Sequence, residues 1–235
     1  MREGLFRKGT FQIAGDCGLL VEYGAGINFE VNVKVRAMTK IINKNIPNGV
    51  VEVIPTYRSL LVVYDPGLTN PTKLKNILTL LEEQLDDIKI PTPVVVEIPV
   101  CYGGEFGPDI SIVGKAYNLT EDDVIRLHSE PEYLIYMIGF TPGFAYLGDL
   151  PEKLQTPRLE TPRTFVPEGS VGIANNQTGI YSVESPGGWQ LIGRTPLKLF
   201  APESSNPFLY QAGDKIKFKS ISAEEFSELA GSKGS

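Results

Sequence analysis

The residues best equipped for chemistry fall in three dense clusters between positions 139 and 196: Gly139–Leu147 (GFTPGFAYL), Pro157–Arg163 (PRLETPR) and Ser185–Arg194 (SPGGWQLIGR). Glycine lets a backbone approach a ligand closely, and proline stiffens a loop at little entropic cost. Arg158, Arg163 and Arg194 each offer a planar fork of donors that suits a carboxylate or phosphate. Tyr146, Gln177 and Gln190 add neutral hydrogen-bonding groups. Together they sketch a pocket for a small anionic ligand. The same residues also fit a scaffold, in which Gly/Pro loops join barrel strands and the arginines pair with Glu160 and Glu168. Trp189 fits either a core position or a platform beneath a ligand ring.

His128 is the single histidine. It falls in the last turn of a predicted short helix over 121–129, where the helix dipole favours its charged form. Val124 and Leu127 beside it face a core, so His128 reads either as a helix-end residue bonded to backbone or as a general acid or base. One histidine cannot form a metal-binding pair, so no metal site is expected. The chain also lacks a Gly-x-x-x-x-Gly-Lys-Ser/Thr phosphate loop, a Gly-x-Gly-x-x-Gly turn and a Gly-x-Ser-x-Gly elbow.

The elements that must carry these residues divide at Pro91-Thr92-Pro93, an extended segment that cannot continue a helix. Residues 1–90 read as a small α/β sandwich-like domain. Phe11–Ala14, Leu19–Tyr23, Val50–Ile54 and Leu60–Tyr64 are strand-like, in two hairpins. Asn28 caps a helix with Val31, Val35, Met38 and Ile42 on one side, and Asn70-Pro71 opens another with Leu74, Ile77, Leu78, Leu81 and Leu85. The acidic run Glu82, Glu83, Asp86 and Asp87 reads as a solvated face.

Residues 94–235 are mostly β: Val94–Val100, Tyr133–Gly139, Val171–Ala174, Ile180–Val183, Gln190–Ile192, Leu197–Phe200 and Lys215–Phe218 are short apolar runs between Gly, Pro and Asn. That spacing predicts a barrel or sandwich, so the chain as a whole is an α+β protein. Thr120 and Ser222 head capping boxes for short helices.

The 235 residues carry a net charge of −6, with 22 basic and 28 acidic side chains, which leaves no basic footprint for nucleic acid. Cys17 and Cys101 lie far apart, outside any Cys-x-x-Cys spacing, and read as two small buried hydrophobes. The N-terminus lacks an apolar signal region and no run is long enough to cross a membrane, so a cytoplasmic protein with no membrane partner is expected.

Nearly the whole chain resembles the family of 5-oxoprolinase B-type subunits, also described as KipI-like or allophanate hydrolase subunit 1-like. The likeness rests on Gly15-Asp16, the Pro55–Leu61 run with Tyr64-Asp65-Pro66, Ile98–Gly104 with Gly107-Pro108-Asp109, and Leu127-His128. It continues through GFTPGFAYLGDLP from Gly139, the Pro-Arg pairs at 157 and 162, Gly169–Gly172, and SPGGWQLIGRTP from Ser185. The resemblance implies a cyclophilin-like β-barrel after residue 94 and a likeness to a carboxyltransferase subdomain of urea carboxylase. It implies a subunit that acts with a larger C-type subunit and an A-type protein to open 5-oxoproline to L-glutamate at the expense of ATP. Some relatives instead inhibit a histidine kinase as binding proteins without catalysis. A stand-alone prolyl isomerase is suggested by the fold name alone, and fold does not carry activity. For a small amide ligand, Arg158, Arg163 and Arg194 would bind the anion, Tyr146, Gln177 and Gln190 would orient the amide, and His128 would move a proton. Without a nucleotide motif here, ATP is expected to bind with help from the partner subunit.

Overall fold

Alternating apolar residues on two strands and a stripe on each of two helices build the first of two compact units, Met1–Thr92; the second is Pro93–Ser235. The computed structural model describes residues 4–85 and 88–231. In the first unit, strands β1 (Leu5–Ala14), β2 (Gly18–Gly24), β3 (Val50–Pro55) and β4 (Ser59–Tyr64) form an antiparallel sheet in the order β1-β2-β4-β3. Side chains two apart share a sheet face. Leu19, Val21 and Tyr23 of β2 and Leu60, Val62 and Tyr64 of β4 therefore enter one core. Helix α1 (Phe29–Lys44) covers it with Val31, Val35, Met38 and Ile42, and α2 (Pro71–Glu82) with Leu74 and Leu78.

Both helices start where their caps dictate. The Asn28 side chain accepts from the Glu30 and Val31 amides, and Asn70 accepts from Lys73 with Pro71 in the first turn. The acidic run is not wholly a solvated face. Glu82 lies under the sheet edge, where it pairs with Lys34 at 2.6 Å and accepts from the Gly9 amide at 2.9 Å. Asp86 and Asp87 lie outside the described residues.

In the second unit seven strands close into a barrel. They are β5 (Val95–Tyr102), β6 (Glu132–Ile138), β7 (Ala145–Leu147), β9 (Ser170–Ala174), β10 (Gln177–Ile180), β12 (Gln190–Arg194) and β13 (Lys215–Ser220), in the order β10-β7-β6-β13-β5-β12-β9. Closure pairs every strand on both sides and leaves no open edge. Neighbours run antiparallel except β5 and β13, which pair in parallel from Val95↔Lys215 to Val100↔Ser220. Ile98, Val100, Ile135, Leu147, Val171, Ile173, Ile180, Ile192, Ile216 and Phe218 fill the interior.

Outside the barrel, β8 (Arg163–Val166) and β11 (Ser185–Gly187) form a separate two-stranded sheet. Helices α3 (Ile110–Lys115), α4 (Glu121–Ser129) and α5 (Ala223–Gly231) complete the unit, with a 3-10 turn at Glu152–Leu154. The Thr120 capping box fixes the start of α4, and Ser222 with Glu225 caps α5. The run expected as a strand at Leu197–Phe200 is not one. It holds only an isolated bridge from Phe200 to Phe208, because Pro196 and Pro207 nearby remove ladder donors. Of the two cysteines expected to be buried, Cys101 is and Cys17 is exposed. Among the described residues no helix is long and apolar enough to cross a membrane.

Candidate active site: an aromatic basin with one arginine

Five aromatic rings meet between the barrel wall and the β8/β11 sheet. Phe144 and Tyr146 lie at and in β7, Tyr181 follows β10, Trp189 precedes β12, and Phe140 comes from the β6–β7 turn. Phe144 is the hub, with ring centroids 4.7 Å from Tyr146, 5.1 Å from Tyr181 and 5.5 Å from Trp189. The last two contacts are edge-to-face, the arrangement the ring quadrupoles prefer. Arg158, Pro162 and Pro186–Gly188 supply the remaining wall, and the cavity measures about 290 Å³.

Local chemistry explains how the wall comes so close. A Cβ at Gly187 would collide with the Tyr181 hydroxyl, so only glycine lets β11 lie on that ring. Phe140 holds φ at 69°, a left-handed backbone unusual for a bulky residue. The residue is 62% exposed, at the rim of the cavity. Strain of this kind persists where the surroundings enforce it, and it collects at ligand sites.

Of the three candidate arginines, one reaches the basin. The guanidinium of Arg158 lies 5.9 Å from the centre of the Trp189 ring, a cation–π contact. Its charge is felt by both phenols. Burial pushes the Tyr146 hydroxyl above its ordinary range, and Arg158 opposes that rise. Burial likewise pushes Tyr181 up to about 12, against a hydrogen bond from the Trp189 backbone and the charge of Arg158. Both phenols therefore keep their protons at neutral pH and can serve as neutral donors.

Arg163 is spent elsewhere. It donates to Asp109 at 2.7 Å and to the Trp189 carbonyl at 3.3 Å, so it braces the basin from behind. Arg194 donates from Nε to the Glu168 carbonyl at 2.9 Å and does not line the basin. The expected convergence of three guanidinium groups on one anion is thus not what the chain builds. Carboxylates and carbonyls nearer to Arg163 and Arg194 claim them first.

Gln190 is buried. Its amide donates to the Pro157 carbonyl at 3.1 Å, which holds the loop that carries Arg158. Gln177 opens β10, paired with Ala174, and is not in the basin wall. Tyr146 lines the basin.

His128 sits inside the barrel. Its ring is fully buried and lies 4.5 Å from Phe218, centroid to centroid. The Thr178 hydroxyl donates to the Gly172 carbonyl at 2.9 Å, so it must accept from His128 Nε2, 2.9 Å away. That leaves Nδ1 as the acceptor for Tyr102, whose hydroxyl donates at 2.8 Å. The result is a one-way chain of hydrogen bonds from β5 through α4 to β10 and β9. Burial drops the imidazole pKa from 6.5 to about 3, so the ring is neutral. A neutral ring with both nitrogens engaged positions strands and is not poised to move a proton to a ligand.

Of the basin's rings, Tyr146 and Trp189 were legible in the sequence as ligand candidates, Phe140 and Phe144 only through the density of the 139–147 run, and Tyr181 not at all. Asp109, the partner of Arg163, lies 54 residues upstream of it and gave no local cue.

Fold and sequence together define the class of protein. The carboxyltransferase domain, subdomain C and D, matches residues 9–210. The chain is 42% identical to the B-type subunit of 5-oxoprolinase from Bacillus subtilis (strain 168) over 224 residues, which cover 90% of this chain and 92% of that protein. It is also similar to the solved structure of TTHA0988, with 33% identity and a TM-score of 0.79, covering 88% of this chain; it spans only 40% of that longer chain. The K. lactis urea amidolyase shares the fold at a TM-score of 0.79 and 20% identity, covering 95% of this chain and 15% of that one. The chain belongs to the family of 5-oxoprolinase B-type subunits, built on a carboxyltransferase-type domain.

Proposed function

We propose that this chain is the B-type subunit of an ATP-dependent 5-oxoprolinase and that its aromatic basin holds the small lactam acid. The observation that carries this reading is the pairing of one guanidinium with a ring-lined cavity of about 290 Å³. 5-Oxoproline has matching parts. Its carboxylate suits the fork of Arg158, its ring methylenes suit the aromatic walls, and its amide suits the protonated Tyr146 hydroxyl. Family membership supports the same ligand, since the B. subtilis relative is named as part of a 5-oxoprolinase.

A lactam is a poor electrophile, and phosphorylation of its oxygen is what makes ring opening by water feasible. The basin does not fit the phosphoryl donor. Among the described residues one guanidinium, with no lysine or second arginine, lines a space too small for a nucleoside triphosphate. This chain is therefore assigned binding, orientation and shielding of the lactam, and the chemistry of ATP is left to the larger C-type subunit and the A-type protein.

The test is reconstitution of the complex with release of glutamate from 5-oxoproline as the readout. The isolated chain should be silent. Within the complex, Arg158→Ala should cut kcat/KM by about ten- to a hundredfold, the cost of one charge-assisted hydrogen bond. Turnover by the isolated chain would overturn the division of labour. Undiminished turnover by the variant complex would overturn the role of the basin.

A further inference from the structure

The basin carries a charge asymmetry that bears on which ring acids it accepts. Among the described residues, Arg158 is the one charged group in its wall. Asp109, the acid that meets the bracing Arg163, is consumed: one oxygen takes Arg163 at 2.7 Å and the other takes the Leu191 amide at 2.7 Å. No carboxylate among the described wall residues is left to meet a cation. The Trp189 face, the best cation platform among the rings, is already held by Arg158 at 5.9 Å.

In any α-amino acid the ammonium and the carboxylate hang on the same carbon. If the carboxylate docks on Arg158, the ammonium follows it to within roughly 5 Å of the guanidinium, where two like charges repel in a partly desolvated site. In 5-oxoproline the same position is an uncharged amide N–H, which donates a hydrogen bond and carries no charge. We propose that the basin selects by charge at the ligand nitrogen, admitting five-membered-ring carboxylates whose nitrogen is an amide and refusing those with an α-ammonium. The refused set includes proline, which has nearly the same ring, and glutamate, the ring-opened product. Ring opening would then create the charge that drives the product out. This inference rests on the lactam reading of the basin given above.

Calorimetric titration of the full chain separates the two ideas. The probes are 5-oxoproline, proline, glutamate and 2-pyrrolidinone, the last lacking the carboxylate. The wild-type chain should bind 5-oxoproline, and should bind proline, glutamate and 2-pyrrolidinone at least about tenfold more weakly. Arg158→Gln should weaken 5-oxoproline and narrow the gap to proline, because the repelling charge is gone. Arg158 is exposed, so the variant should keep the far-ultraviolet dichroism and the urea midpoint of the wild type, which confirms its fold. Equal affinity for proline and 5-oxoproline, with Arg158 still required, would overturn the charge filter and leave the lactam site standing. Failure to bind 5-oxoproline, or binding indifferent to Arg158→Gln, would overturn both.

Discussion

Arg163 Nη2 donates to Asp109 Oδ1 at 2.7 Å, and the second oxygen of the same carboxylate accepts from the Leu191 amide at 2.7 Å. Asp109 is 4% exposed. The pair ties the segment before α3 to the start of β8 and to β12, and so fixes the wall that holds Trp189.

Arg163→Ala should therefore act on stability. It leaves a buried carboxylate with a single partner, which costs about 2–3 kcal/mol. Urea denaturation should show a lower midpoint with an unchanged slope. Arg158→Ala, at an exposed position with no ion pair among the described contacts, should stay within about 0.5 kcal/mol of wild type. Equal destabilisation by the two changes would contradict the separation of brace from ligand group.

The buried His128 makes stability depend on pH in a known direction. Unfolded, its ring takes up a proton below about 6.5; folded, it resists protonation until about 3. The unfolded chain thus binds more protons in that window. This contribution is fully present above about pH 6.5 and is lost progressively as pH falls toward 3, by at most about 1.4 kcal/mol per pH unit. Denaturation midpoints for wild type and His128→Gln, compared between about pH 4 and 7, should show a flatter dependence in the variant. Parallel curves would place the acid sensitivity elsewhere.

The Tyr102 hydroxyl feeds the same chain of hydrogen bonds. Tyr102→Phe keeps the ring and strands the Nδ1 lone pair of His128, at a cost of about 1–3 kcal/mol. The Arg158-dependent affinity for 5-oxoproline should survive in the folded protein, because neither Tyr102 nor His128 lines the basin. Loss of affinity without loss of stability would return His128 to the site.

Much of the first unit was legible because its signals are local. Alternation in Leu19–Tyr23 and Leu60–Tyr64, and the caps at Asn28 and Asn70, each place an element within a few residues. The barrel was legible as a class from its short punctuated runs, but not in detail. Three-residue strands such as β7 and β11 carry too little pattern, and the pairing of Val95 with Lys215 joins residues that no window spans. The site suffered most from this. Arg158 and Arg163 sit in near-identical Thr-Pro-Arg contexts, and only the distant Asp109 decides that one braces while the other faces the cavity. His128 was ambiguous for the same reason, since Tyr102 and Thr178 meet it only after the barrel closes.

Trp189 is the single tryptophan of the chain and forms part of the basin wall, so its fluorescence reports occupancy without a label. Titration of the purified chain with 5-oxoproline is the most direct measurement of the central claim. The expected result is a saturable change in Trp189 emission whose midpoint moves to about ten- to a hundredfold higher concentration in Arg158→Ala. Emission that does not respond to 5-oxoproline, or a midpoint the substitution leaves in place, would contradict the assignment of this basin as the lactam site.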